Sequence, residues 1–461
     1  MTQPESALVV CADVGSTHTK VAVVDTADGA LVATASRPTT VDSDVLRGLD
    51  AAVAATGVTG PAARYVCSSA GGGLRLAVVG YERLVTAEAG HKVGLSAGAR
   101  VVHVAAGRLD GAAVAALRAS RPDVVLLVGG TDGGDAEVLC HNARRLAGAR
   151  LRVPVVVAGN VDARDEVVAT LAGRGVPVTA TDNVLPRIGE LCPQPARVAI
   201  REVFLRHVIG GKRLSRGTRF ASLVRAATPD AVLTGVEVLA DSLPDRTGLV
   251  VVDVGGATTD VYSVLPDDGP SREVAGTLWR ARTVEGDLGV RESAVGIVDA
   301  AVAERLLDAA EADLLRAAAQ ARAAQPSYLP VDAADRAVDL RLATLAVTVA
   351  LRRHARGQRD LRDVRLVVGS GGVLRHAPRD DALAVLGCAL ADHAGGWALP
   401  RAPRTTIDVD YVLAAAGLLA AEHPEAAVAL LRGRLIGSAR AAGQAAGRVV
   451  ARHARRHADA V

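Results

Sequence analysis

Apolar positions open the chain in three short runs, Leu8 to Ala12, Thr19 to Asp25 and Ala30 to Ser36, the last two separated by Asp28-Gly29. Runs of this length broken by turn residues predict a three-strand meander. A helix from about Asp42 to Ala55 follows, with Asp42 or Ser43 as its cap. From Arg64 to about Leu185 the pattern becomes a regular alternation of short β-rich runs with Ala-rich, helix-length segments. Strands are expected at Tyr65 to Cys67, Arg100 to Val104, Val124 to Val128, Val155 to Ala158 and Pro177 to Thr179. Such alternation implies βαβ units and a parallel sheet. Residues 197–240 read as helical and mixed, and Pro244-Asp245-Arg246 leads into a strand at Val250 to Val254. A tight turn and a second strand follow, then a Pro/Asp/Gly loop at 266–270 and a strand near Leu278 to Thr283. Two helices come next. One runs from about Ala303 to Ala324, with Leu306, Leu307, Ala310, Leu314 and Ala318 on one face. The other runs from Asp332 to His354, stopped by Gly357. A strand at Val364 to Val368, a helix near Ala382 to Ala391, a strand at Thr405 to Val409 and a small-residue helix from Tyr411 to Ala421 complete the pattern. After Pro424 an Ala/Arg helix remains.

Half of the 461 residues are hydrophobic but only 2% are aromatic, so the core is expected to be built from Val, Leu and Ala. This length suits two to three domains. Lys+Arg 53 against Asp+Glu 50 leaves a net charge of +3, too balanced to point to nucleic acid. Lysine occurs only at 20, 92 and 212, which makes Lys20 conspicuous. The cysteines at 11, 67, 140, 192 and 388 form no CxxC pair and read as reduced, buried, small apolar residues. With no bilayer-length apolar run and no charged-then-apolar leader, a cytoplasmic protein without a membrane role is expected.

Three glycine turns carry the candidate chemistry. The run Val250-Val-Val-Asp253-Val-Gly255-Gly256-Ala-Thr258-Thr259-Asp260 brings a strand into a carboxylate, two glycines and two hydroxyls. Gly255 and Gly256 let main-chain N–H groups approach an anion, and Thr258 and Thr259 add hydroxyl donors. Asp253 would repel a phosphate, so its expected task is to hold Mg²⁺ through water or to orient an attacking water. Asp13-Val-Gly15-Ser16-Thr17-His-Thr-Lys20 repeats the plan near the N-terminus and adds a cation. The third turn, Gly369-Ser-Gly371-Gly372, has no aspartate and suits close passage of adenine and ribose.

Other turns are less specific. Ser68 to Gly73, Gly129 to Gly134 and Gly159-Asn160 end strands of the alternating segment, where an open α/β sheet lines its crevice. They read either as a ligand or partner surface or as glycines that permit tight turns. There is no Walker GxxxxGK[ST], no GxGxxG and no DxHxxG. In Glu285-Gly-Asp287-Leu-Gly-Val-Arg291, the acids are a further nucleotide or metal contact, or Asp287 and Arg291 form a helix-capping pair.

The three turns, in this order and separation, resemble the two phosphate motifs and the adenosine motif of the actin, Hsp70 and sugar-kinase superfamily. Over nearly its whole length the chain looks most like the glutamate mutase MutL family. That resemblance rests on Asp13 to Lys20, Cys67 to Leu74, Leu127 to Gly134, Ala158 to Asn160, Asp253 to Asp260 and Glu285 to Gly289. It implies an α/β, actin-like (ribonuclease H-like) pair of ATPase halves with an inserted parallel-sheet segment. The halves would be 1–63 and 246–430, the insertion 64–245 and a helical tail 431–461. It also implies ATP and Mg²⁺ as ligands and an adenosylcobalamin-dependent mutase as partner, served by an ATP-dependent reactivating chaperone. Asp13 and Asp253 would hold Mg²⁺ and water, with Gly15, Ser16, Thr17, Lys20, Gly255, Gly256, Thr258 and Thr259 around the phosphates. Gly369, Gly371 and Gly372 would lie on adenosine, and residues 64–185 would meet the mutase. The competing readings are a small-molecule kinase and a filament-forming actin relative.

Overall fold

The computed structural model describes residues 8–59, 62–70, 74–81, 90, 93, 99–209, 214, 215, 218–243, 247–265, 280–356, 360–392 and 394–437. Several sequence expectations lie outside these residues. They are Gly71 to Gly73, Pro244 to Arg246, the 266–270 loop, the start of the strand at 278, Gly357 and the tail beyond 437.

The meander forms as expected, with β1 Leu8–Val14, β2 His18–Asp25 and β3 Leu31–Pro38 joined antiparallel. Helix α1, Val45–Ala54, is capped by Asp44, whose carboxylate accepts the Leu46 N–H, and not by Asp42 or Ser43. Strand β4, Ala63–Ser68, pairs parallel with β1. Its apolar run matches the inserted strands, but its place is in the first half, so the insertion begins after Ser68.

The inserted sheet holds β5 Arg75–Gly80, β6 Arg100–Ala106, β7 Val124–Leu127, β8 Val155–Val157 and β9 Val178–Ala180, all parallel, in the order 6-5-7-8-9. β5 had no counterpart in the sequence reading. Helices α2 Gly111–Ala119, α3 Glu137–Gly148 and α4 Arg164–Ala172 connect the strands. The chain returns through α5, Pro193–Val203, and α6, Arg219–Leu223, to β10, Val224–Ala227, which pairs with β4 in the first sheet. Helix α7, Thr228–Asp241, then leads to the second half.

The second half repeats the first. β11 Gly248–Val254, β12 Thr259–Val264 and β13 Arg280–Glu285 form an antiparallel meander, and β14 Val364–Ser370 and β15 Arg404–Ile407 add in parallel. Strand orders 3-2-1-4-10 and 13-12-11-14-15 are the same plan twice, the actin-like duplication. Between them run α8 Ala294–Ala303, α9 Ala309–Ala324, α10 Ala333–Arg356, α11 Gly372–Arg375 and α12 Arg379–Leu390. Helices α13 Val412–Leu419 and α14 Pro424–Leu431 close the domain. The face expected for α9 is displaced. Asp308 caps the helix, Leu306 and Leu307 precede it, and Ala312, Leu315 and Ala319 face the core while Leu314 is exposed.

The inner faces of both half-sheets share one core with α7 and α13. Val9, Cys11 and Val24 from the first sheet and Val251, Tyr262 and Val368 from the second enclose Leu233, Leu239, Leu413 and Leu419. The two helices cross at Gly235 and Gly417, where a Cβ on either would run into the other helix's carbonyls at Leu413 and Ala231. The outer face of the first sheet meets the inserted sheet in a second core, including Val10, Val66, Leu126, Val156 and, from α5, Ile200 and Val203. Among the described residues no helix is long and apolar enough to cross a membrane.

Candidate functional site

Equivalent strands of the two sheets bring equivalent positions together. Asp13 ends β1 opposite Lys20 on β2 and Cys67 on β4. Asp253 ends β11 opposite Asp260 on β12 and Ser370 on β14. The turns beyond close alike, with Gly15 N–H donating to the His18 carbonyl (3.1 Å) and Gly255 N–H to that of Thr258 (2.9 Å). Behind the second turn, residues 286–293 act as a brace. Val290 N–H donates to Gly255 O (3.0 Å), Arg291 N–H to Gly256 O (2.8 Å) and the Ser293 hydroxyl to Ala257 O (2.8 Å). With these carbonyls engaged, Gly255 N–H closing the turn and the Thr258 hydroxyl donating to Asp260 Oδ2 at 3.2 Å, the turn offers a ligand chiefly its remaining amides.

Asp13 is the hub of the first half. Its Oδ1 accepts from the Thr228 hydroxyl at 2.6 Å and the Cys67 thiol at 3.8 Å, and its Oδ2 pairs with Lys20 Nζ at 3.5 Å. Lys20 lies 3.9 Å above the ring of Tyr411, and Arg375 approaches the same ring at 4.7 Å. Lys20 belongs to the first half and Tyr411 and Arg375 to the second, so this stack bridges the crevice. A small cleft of about 20 Å³ lies there, lined in part by Asp13, Lys20, Arg375, Asp410 and Tyr411. Burial would lower the Lys20 pKa, but Asp13 and Asp253 outweigh it and the ammonium is held above its usual range.

Asp253 has a different balance. Burial pushes its pKa up to about 6 against the pull of Lys20, with Asp260 and Asp13 adding repulsion and a hydrogen bond from Ser370 opposing it. Two carboxylates, Asp13 and Asp253, thus converge on one lysine. Asp260 is neutralised separately by Arg282, at 2.6 and 3.1 Å.

Several expected ligands have other work. Thr259 is fully buried and its hydroxyl donates to Leu288 O at 2.6 Å, so it braces the loop instead of facing a phosphate. Its counterpart Thr19 is likewise buried against Thr39. A Cβ on Gly369 would point at Ile407, Leu374 and Leu386, so this glycine serves core packing rather than a flat ligand. Gly371 has φ +103° and passes the Val254 carbonyl too closely for any Cβ, whereas Gly372 is exposed and open. Glu285 and Asp287 are both held by Arg353, at 2.9 and 2.7 Å, and Arg291 pairs with Asp339 at 2.6 Å. The capping pair between Asp287 and Arg291 therefore does not form. Ser16 and Thr17 are exposed on their turn.

The glycine turns of the inserted sheet are satisfied from within. Asn183 Nδ2 donates to Gly130 O and Asp132, Asn160 Nδ2 to Gly134 O, and Gly133 N–H to Asp162. A Cβ on Gly159 would crowd the Gly129 backbone. Of the cysteines, Cys11, Cys67 and Cys140 are buried as expected, but Cys388 is exposed and Cys192 half-buried. Burial pushes the Cys11 thiol up to about 12.

Sequence reading missed Thr228, Arg375, Asp408 and Tyr411. Asp408 is fully buried and accepts the Val412 and Leu413 N–H groups (2.9 and 3.2 Å), capping α13. Tyr411 has φ +54°, a left-handed conformation costly to a non-glycine residue. Asp408-Val-Asp-Tyr before an apolar run was a usable start signal.

Residues 9–435 match the family model described as MutL protein. Protein MutL of Clostridium tetanomorphum is 35% identical over 459 residues, covering 92% of this chain and 98% of that protein. Among solved structures, a nucleotide-free acetone carboxylase is 15% identical with a TM-score of 0.37, covering 84% of this chain and 70% of its own. Component A of the Acidaminococcus fermentans (R)-2-hydroxyglutaryl-CoA dehydratase is 11% identical with a TM-score of 0.28, covering 92% and 97%. At these scores the superpositions carry no weight, and the fold rests on the strand orders above.

Proposed function

The chain belongs to the MutL family, and from that premise we propose that it binds ATP with Mg²⁺ in the crevice and acts as an ATP-driven reactivating factor for an adenosylcobalamin-dependent mutase. The observation that carries the nucleotide part is the pair of equivalent Asp-x-Gly turns, one from each half, with Lys20 reaching across to the second half.

The residues fit the ligand. Lys20, Ser16, Thr17 and the Gly256 amide would hold phosphate oxygens, with Gly15, Gly255 and Thr258 lining the same turns and Gly371 and Gly372 beside the nucleoside. Asp13 and Asp253 offer the hard oxygen donors that Mg²⁺ takes, directly or through water. A divalent cation there would neutralise phosphate charge and favour the ionised form of Asp253, whose pKa burial holds near 6. Thr228 orients Asp13, Ser370 orients Asp253, and the Tyr411 ring holds Lys20 and Arg375 beside them.

Because the ligand would touch both halves, it favours a closed arrangement over an open one, and hydrolysis reverses that preference. A partner bound more tightly by one arrangement is strained by the cycle. The test is ATP hydrolysis by the full chain, alone and with a cobalamin-inactivated glutamate mutase or aminomutase, with cobalamin release followed by absorbance. Stimulated hydrolysis together with release is the expected result. ATP binding with neither response would remove the reactivating role and favour a small-molecule kinase.

A further inference from the structure

Helix α7 has three attachments. Its first residue, Thr228, holds Asp13; Gly235 crosses α13 of the second half in backbone contact; and Asp230 and Glu237 hold Arg197 of α5. Arg197 Nε and Nη2 donate to Asp230 Oδ1 at 3.2 and 3.1 Å, and Nη1 donates to Glu237 Oε1 at 2.8 Å. Side-chain exposures of 10% for Arg197, 3% for Asp230 and 12% for Glu237 keep water from competing for these bonds. Arg201, one turn on, meets Asp230 Oδ2 at 3.4 Å and donates to the Arg225 carbonyl of β10. The opposite face of α5, Ala196, Ala199, Ile200 and Val203, is buried in the core that contains Leu126 and Val156 of the inserted sheet.

A buried, forked guanidinium between two carboxylates cannot slide, because any displacement leaves a charge unpaired in low dielectric. Movement of α7 therefore carries α5 with it. We propose that α7 and the Arg197 clasp couple the crevice to the inserted sheet, so that closure of the second half, delivered at the Gly235–Gly417 crossing, alters the stability of the inserted sheet. The coupling is reciprocal: whatever binds the inserted sheet and favours one position of α5 changes nucleotide affinity by the same factor. This rests on the ATP-driven reading only for the identity of the ligand.

Hydrogen exchange on the full chain tests it, using Mg²⁺ with a non-hydrolysable ATP analogue. In the wild type the analogue should change exchange in α5 and in β7 to β9 by about threefold or more. The double variant Arg197→Met/Asp230→Asn removes the guanidinium and neutralises the more deeply buried of its two carboxylates; it should bind the analogue within about threefold of wild type and lose that response. A response that persists in the double variant overturns the coupling, as does a wild type that binds the analogue with no change in these elements. A ligand-free arm uses Gly417→Ala, whose methyl must displace α7. Altered exchange in α5 of this variant, abolished when the double substitution is added, supports the coupling, and unchanged exchange refutes it. If the wild type binds no nucleotide, the functional reading fails and the ligand-free arm still decides this proposal.

Discussion

At the residue scale the two crevice carboxylates differ in a way that pH exposes. Asp253 is raised to about 6 from an ordinary 3.8, so the folded state binds its proton more tightly than the unfolded state. The stability this contributes is fully present below pH 4 and is lost as pH rises through 6. The ligand-free protein should accordingly gain stability from Asp253→Asn at pH 7.5, on the order of 1–3 kcal/mol, and little at pH 4, read as the difference in melting temperature. The same variant should lose Mg²⁺-dependent nucleotide binding. Equal stabilisation at both pH values would mean that the charge of Asp253 is not what burial penalises. Glycines separate similarly. A Cβ at Gly256 meets only Arg291 carbons at 3.5 and 3.6 Å, so Gly256→Val should keep the fold and its melting temperature while abolishing ATP binding in calorimetry. Gly371→Ala, at φ +103° and against the Val254 carbonyl, should instead destabilise the protein by about 2 kcal/mol or more in urea unfolding.

At the scale of elements, two neighbouring threonines show what the sequence could and could not reveal. Thr258 and Thr259 look alike as hydroxyl donors, yet strand alternation sends one towards the turn and the other into the core. Thr259→Val should cost about 1–3 kcal/mol because the buried Leu288 carbonyl loses its donor, whereas Thr258→Val should leave stability within about 0.5 kcal/mol. Chemical denaturation of both variants separates the roles. The strands and the two Asp-x-Gly turns were legible because β-branched runs ending in Asp and Gly have few other uses. The brace at 286–293 and the clasp of Arg353 on Glu285 and Asp287 were not, since the brace closes on a turn more than thirty residues away and the clasp on a helix more than sixty away. The displaced face of α9 has the same origin: the periodicity was present, but its phase was set by the cap at Asp308.

At the scale of the whole molecule, β4 and β10 show why domain limits are the least legible part of such a chain. Their apolar runs match those of the inserted sheet, and only the pairing of β4 with β1 and of β10 with β4 assigns them to the first half. The halves are also joined away from the crevice, where Tyr65 and Arg225 of the first half bond Glu422 of the second, at 2.5 Å each, and the Tyr65 ring stacks on His423. Tyr65→Phe and Glu422→Gln should each loosen this junction and accelerate tryptic cleavage between the halves in the ligand-free protein, with saturating ATP restoring resistance. The equivalent registers have one more consequence. A site made of two identical turns facing each other would accept a polar ligand either way round. This one does not, because the position opposite the leading aspartate is Lys20 in one half and Asp260 in the other, the latter already claimed by Arg282. A repeated backbone with one exchanged charge therefore acts as a polarity mark: it gives a molecule that is anionic at one end a single direction of entry.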